Sequence, residues 1–441
     1  MKTDNLYLYS KKRNSSVMGR LFLSYIYIIF ILWSAGFGLF FVLPYFKNLY
    51  WLDSLSIFTI IVSLTYFILI FANTGVVRFG FHNSSLFWVF FFFIAISFLF
   101  SSYKYNQGLA GTIKYAAYYL IPLFSIFVYF QFPKRFRSFS AVNKAIINVS
   151  IIDSTVALVS YFLIVNADIN LLNIPYSLRN GTPRFTIGVE VVLISIFISL
   201  NKCFKTKKIS PKDACNIILG TLQIIIAGKT RSFLLYYAIA FVFIIALYSN
   251  FKTKICLYTV FFDLFLVFAF NAQYIINSIS DYFLSDAGIS IRFEAISFFM
   301  KQFYSKPFFG IGFISSKGPY STLLGGANGK FYYDDVGVVG LLAQFGLFGL
   351  LWVIVLLATA FLQAKKTNLL ISPILKTFVF YLTISSINLL FVDRGKLIYL
   401  FMLFVFTDFC HPISAIVNNT KRSPSLLARG RILNTKLKGC N

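Results

Sequence analysis

Sixteen consecutive residues at 85–100, SLFWVFFFFIAISFLF, carry no charge, and a run of that length and polarity has few places to go. A bilayer span needs about 20 predominantly apolar residues, with charges rare near the middle. Similar runs recur along the chain. By this criterion helices are expected at roughly 21–45, 53–72, 85–102, 109–130, 145–165, 184–201, 213–228, 231–249, 255–272, 337–362, 375–392 and 396–412. A transmembrane β-barrel would show short alternating segments instead. The fold class is therefore read as an all-α polytopic membrane protein of about 12 transmembrane helices, with one large loop before helix 10. Composition agrees, since only 12% of the 441 residues are charged and 58% are hydrophobic, whereas about a quarter of a soluble domain is charged.

Lysine and arginine set orientation. With a cytoplasmic N-terminus, the inner segments collect KKR at 11–13, PKRFR at 133–137, KCFKTKK at 202–208, Lys365, Lys366 and the basic tail, so the 40 basic residues divide into 26 inside and 14 outside. An even number of spans leaves both termini cytoplasmic. The net charge of +26 then reflects topology and contact with anionic lipid, and no nucleic-acid partner is expected. Residues 1–20 read as a cytoplasmic segment, 21–412 as the membrane domain with outer loops at about 166–183 and 273–336, and 413–441 as a basic cytoplasmic tail. Cys203, Cys215, Cys256, Cys410 and Cys440 all fall in inner segments or at inner helix ends, so no disulfide framework is expected. The first apolar run is too long for the core of a cleavable signal and is expected to remain as a span.

Candidate functional residues are the charges that sit against these trends. Asp153 is embedded in the fifth span, as a catalytic or translocation group or as a structural hydrogen bond; Lys114 is near enough to a helix end to snorkel. In the outer stretch SLRNGTPRFTIG at 177–188, Thr182 reads as an N-cap and Pro183 as the first residue of span six. That helix start, with Arg179 and Arg184 beside it, suits a ligand phosphate or lipid headgroups, and Glu190 is a candidate partner for either arginine. The short turn AGKTRSF at 227–233 places Lys229 and Arg231 outside, against the positive-inside trend. Its GKT resembles the end of a nucleotide-binding loop, but Gln223 stands where that motif needs glycine, so a nucleotide site is rejected. The last outer turn, VDRGK at 392–396, carries Arg394 and Lys396, with Asp393 available to neutralise one of them.

The large loop, Gln273 to Val336, is the longest polar interruption in the chain. In ISIRFEAISFFMKQFY at 289–304, Ser290, Glu294, Ser297 and Lys301 share one helical stripe. Arg292 points to the opposite side, with Ala295, Ile296, Phe299 and Phe303, either against a carboxylate or phosphate or snorkelling from an interfacial helix. PFFGIGF at 307–313 reads as a tight turn. Asp334 and Asp335, where span ten begins, are either helix caps or a base at the outer membrane surface.

The order of these motifs, TPRFTIG, GKTRS, RFEA, KPFFGIGF and DDVGVVGLLAQFGLFGLL over roughly 175–362, resembles the O-antigen polymerase and ligase superfamily of polytopic bacterial inner-membrane proteins. The resemblance implies a glycosyltransferase acting at the periplasmic face on oligosaccharides linked to undecaprenyl pyrophosphate, with no cofactor or metal. Membrane lipids, chain-length regulators and flippases are the partners it implies. Ligases of the superfamily carry a histidine where this chain has Asp335, and the histidines here, His82 and His411, are on the inner side. That departure favours a polymerase over a ligase; a lipid-linked oligosaccharide flippase is the rival from another class. Within the resemblance, Arg292, Arg179, Arg184, Lys229, Arg231 and Arg394 are expected to bind pyrophosphate, and Asp335, Asp334 or Glu294 to activate the acceptor hydroxyl.

Overall fold

The computed structural model describes residues 84–107, 136–170, 176–179, 181–185, 188–229, 231–250, 287–315, 319–326, 329–366, 371–393 and 396–410, with the single positions 112, 116, 119 and 122. The spans expected at 21–45, 53–72 and 255–272 lie outside these residues, as do most of 109–130, Cys256, Cys440 and Arg394. What is described is mostly helical. Three helices are long and apolar enough to cross a membrane, Ser85–Lys104, Val142–Ala167 and Val338–Lys366, which gives the chain the character of a membrane protein.

The helices are α1 (Ser84–Lys104), α2 (Phe136–Ala167), α3 (Val189–Thr206), α4 (Pro211–Leu222), α5 (Arg231–Tyr248), α6 (Ala287–Ser305), α7 (Val338–Lys366), α8 (Ile371–Ser385) and α9 (Leu397–Phe409), with a two-stranded hairpin, β1 (Ser177–Arg179) and β2 (Thr182–Arg184), between α2 and α3. The chain divides into two compact units. One comprises residues 1–55, 141–203 and 208–234, and the other comprises 56–140, 204–207 and 235–441.

In the first unit α3 is buried almost throughout its first 13 residues. Small polar residues let it pack: Ser195 Oγ lies 2.6 Å from Ser150 Oγ and 3.1 Å from Asn216 Oδ1, and Asn216 Nδ2 donates to Ser199 Oγ at 3.0 Å. Such hydrogen bonds hold helices together where lipid removes the hydrophobic drive for them to associate. Ser210 caps α4 by accepting from the Asp213 amide, with Pro211 in the first turn, a standard helix start. After α4 the helix widens into a π-helical turn, Gln223–Gly228.

The expected start of span six is corrected here. Thr182 and Pro183 are extended, pairing with Arg179 and Leu178 in the hairpin, and the helix begins at Val189. Gly181 is part of the reason, because a two-residue hairpin turn demands positive φ, and Gly181 has φ 74°. Proline's fixed φ suits an edge strand as well as a first helical turn.

In the second unit α7 is not one continuous helix. At Gly346 the backbone turns to φ 65°, ψ −162°, a conformation reserved for glycine, which separates a short half (338–345) from a long half (347–366). Breaking a helix inside a membrane strands carbonyls on one side and amides on the other, and both must be paired within the protein. The 307–312 segment pairs them. Ile311 N and Gly312 N donate to the carbonyls of Ala343 and Gln344 at 2.8 Å each, Leu347 N donates to Pro307 O at 2.8 Å, and Phe348 N donates to Phe308 O at 3.4 Å. The tight turn expected in PFFGIGF, with glycines for positive φ or a close backbone approach, is docked main chain to main chain in the break, with Gly310 at φ 65° and Gly312 at φ 72°. Gly310 permits the approach, since a methyl there would meet the Gln344 carbonyl.

Side chains then clamp the docked segment. Gln107 Nε2 donates to Phe313 O at 2.6 Å, its Oε1 accepts from Ser315 N at 2.8 Å, and Ser101 Oγ accepts from Phe313 N at 2.8 Å. Tyr119 donates to Gln344 Oε1 at 3.3 Å, and Trp352 Nε1 donates to Leu86 O at 2.9 Å. α8 ends at Ser385, short of the expected 392, and residues 386–393 turn back toward α9 with Val338 N donating to Ser386 O at 3.0 Å.

Candidate functional site

Most of the expected site residues of the second unit gather at the end of the bundle where α7 begins. α6 packs Ala295 and Phe299 against Val336 and Ala343. Arg292 lies one turn before Ala295 and is half-buried, whereas Glu294, Ser297 and Lys301 are exposed, so the two faces of the helix divide as the spacing requires. The Arg292 guanidinium lies within electrostatic reach of the Tyr236 phenol. Tyr236 in turn donates to Asn388 Oδ1 at 2.7 Å, which ties the arginine to the turn after α8. Glu294 stands on the exposed stripe and is not brought to this group.

Asp334 and Asp335 sit in a single 3₁₀ turn, Tyr333–Asp335. Val336 and Gly337 lie between this turn and α7. They belong to an acidic group with Asp393. The Lys396 ammonium bonds Asp393 Oδ2 at 2.9 Å and reaches the Asp334 carbonyl at 3.3 Å, joining the turn before α7 to the turn before α9. Burial pushes the Asp393 carboxyl well above the ordinary carboxylate range; Lys396 opposes that shift, while Asp334 and Asp335 add to it. Asp335 is exposed and Asp334 half-buried, so Asp335 is the carboxylate a ligand can reach.

The first unit holds the other cations. Phe185 N donates to Ala227 O at 2.8 Å and Arg184 Nε to Gly228 O at 3.1 Å, so β2 is stitched to the π-helical turn. Phe185 and Ala227 pack with Ile164 beneath. Lys229 follows in the left-handed region at φ 44°, ψ 29°, and its ammonium reaches Tyr161 Oη at 2.9 Å and lies 4.9 Å from that ring's centre. Arg184 and Lys229 therefore stand on adjoining segments. They do so on a hairpin and a π-helical turn, not on two helix starts. Arg179 lies in β1 and Arg231 opens α5. Arg394 lies outside the described residues. Asp153 is fully buried, its two carboxylate oxygens have no hydrogen-bond partner among the described residues, and Glu190 is its charged neighbour.

Sequence reasoning missed Tyr236, Asn388, Tyr161 and Gln107. Asn388 and Gln107 left a signal, each being a strongly polar residue beside an apolar run; the two tyrosines left none in so aromatic a chain. Among the described residues no group of three or more His, Cys, Asp or Glu side chains could hold a metal ion. No protein-family model matches this chain, and no curated protein is significantly similar to it.

Proposed function

We propose that the protein polymerises a surface polysaccharide, joining oligosaccharide repeat units carried on undecaprenyl pyrophosphate at the periplasmic face of a bacterial inner membrane. The observation that carries this reading is that a half-buried arginine, Arg292, and an acidic turn, Asp334-Asp335, stand on segments packed against each other among apolar helices. In the reaction the acceptor sugar's hydroxyl oxygen bonds to the donor's anomeric carbon. The bond from that carbon to the pyrophosphate oxygen breaks, and the leaving group takes the electron pair. Charge develops on the pyrophosphate, where the fixed Arg292 cation stabilises it most. Asp335 takes the proton from the hydroxyl. Tyr332 is exposed beside the acidic turn and offers a flat apolar face with a polar tip, suited to a sugar ring. The break in α7 supports the same reading, since irregular backbone at membrane depth is characteristic of binding sites.

The test uses purified protein with lipid-linked repeat units. The wild type should give polymer without ATP, and Arg292→Ala or Arg292→Lys should give none while its level in the membrane is unchanged. Polymer of normal length from Arg292→Ala would sink the assignment. Transbilayer movement of the lipid-linked unit without polymer would make the protein a flippase.

A further inference from the structure

Outside this group, two lysines stand together where the chain has no need of a pair. Lys104 ends α1, and Lys306 follows α6 as the first residue of the docked segment, its carbonyl accepting from Gly310 N at 3.0 Å. The Lys306 ammonium bonds the Tyr105 hydroxyl and lies 4.8 Å from that ring's centre. Lys104 is the charged neighbour of Lys306, and its ammonium lies 4.9 Å from the centre of the Phe100 ring. Tyr105 is buried against Ile311 and Ile314, and its ring centre lies 5.0 Å from that of Tyr320, the rings tilted at 56°. The groups facing Lys306 are thus Lys104 from α1, Tyr105 just after it, and Tyr320 from the 319–321 turn.

Two neighbouring ammonium groups repel, and among the described residues neither has a carboxylate partner. The partial negative charge at a helix C-terminus would hold each separately but gives no reason to bring them together. A shared anion does. Each lysine can donate to an oxyanion and so can each phenol, Tyr105 still having its own hydrogen to give while it accepts from Lys306, and a phosphate carries enough acceptors to take them all. We propose that Lys104, Lys306, Tyr105 and Tyr320 form a binding site for a phosphate or diphosphate group, separate from Arg292. Should the polymerase reading hold, this site would take the second of the two lipid-linked pyrophosphates that polymerisation requires.

The charge state agrees. Burial and the neighbouring Lys104 hold the Lys306 ammonium down at about 8. A bound dianion reverses that shift, so binding takes up a proton near pH 8 and weakens as pH rises through that region.

The experiment measures inorganic pyrophosphate binding to the detergent-purified full chain by calorimetry, together with binding to vesicles of anionic phospholipid. Lys306→Gln should weaken binding about tenfold, the loss of one charge-assisted hydrogen bond. Lys306→Arg should keep the affinity but lose the weakening between pH 7 and 9. Tyr105→Phe provides a variant of nearly the same shape. Loss confined to pyrophosphate identifies a soluble or lipid diphosphate as the ligand; loss confined to vesicles identifies a headgroup phosphate. If Lys306→Gln and Tyr105→Phe both bind each probe as the wild type does, the site does not exist. The component of pyrophosphate binding that Lys306→Gln removes should persist in Arg292→Ala, whereas polymer formation should not, so this inference and the polymerase reading fail on different variants.

Discussion

Substituting Gly346 by alanine strikes the feature on which the second unit's site depends. At φ 65°, ψ −162° a residue with a side chain costs about 1–3 kcal/mol. The added methyl would also fall under 3 Å from the Phe308 carbonyl and 2.7 Å from Phe309 N, so 307–309 must withdraw. Four main-chain hydrogen bonds span the break. If two of the groups are left buried and unpaired at about 1–3 kcal/mol each, the sum is about 3–9 kcal/mol. That is comparable with the whole stability of a typical domain, about 5–15 kcal/mol. Gly329→Ala is the control: its φ is 64° but nothing lies within 4 Å, so only the left-handed cost of about 1–2 kcal/mol applies. Thermal melting in detergent, read by fluorescence-detected size exclusion, should show Gly346→Ala melting far below both Gly329→Ala and the wild type, with less protein in the membrane. Equal melting of the two variants would refute the argument that the docked segment holds the broken helix.

Two further expectations concern charges. Lys396→Met leaves Asp393 buried without its partner, a loss of about 3–5 kcal/mol, and the Lys396→Met, Asp393→Asn double variant should lose less than the two single losses added. Because the Asp393 carboxyl is held above its unfolded value, near 4, the folded chain retains a proton that the unfolded chain has given up. Stability from this group therefore falls as pH rises above about 4, and Lys396→Met should melt closer to wild type at pH 5 than at pH 8; the same gap at both would remove the pairing. Lys229→Gly relieves a left-handed residue of about 1–2 kcal/mol and loses a cation–π contact of about 0.5–2 kcal/mol, so its melting temperature should hardly move. Shorter glycan from that variant would mark Lys229 as a ligand-binding residue, and normal chain length would leave it only its contact with Tyr161.

Long apolar runs made the helices legible, because the bilayer imposes one length and one polarity on whatever crosses it. The face of Arg292 was legible for the same reason: with one residue every 100°, it had to share a side with Ala295 and Phe299. Backbone geometry was not. At Thr182-Pro183 strand pairing competed with a sound helix-start signal, and local sequence carries no measure of one against the other. Nor does LLAQFGLFG announce a break at Gly346, since glycines are common in transmembrane helices that stay straight. The break exists because 307–312 is there to fill it, and that pairing joins residues far apart in the chain.

Gln107 and Phe313, clamped together, are 206 positions apart, and this separation orders the protein's biogenesis. When 307–315 leaves the ribosome, α1 is already made but residues 343–348 are not. Nine residues, however apolar, are too short to span a bilayer by themselves, so the segment cannot take its place alone. The short half of α7, about 12 Å long, emerges next and cannot bury its carbonyls until that segment arrives. Docking accordingly waits until residues 343–348 have been made. Until it happens, the newly synthesised chain displays an unpaired helix end in the bilayer, the kind of feature on which membrane quality-control proteases act.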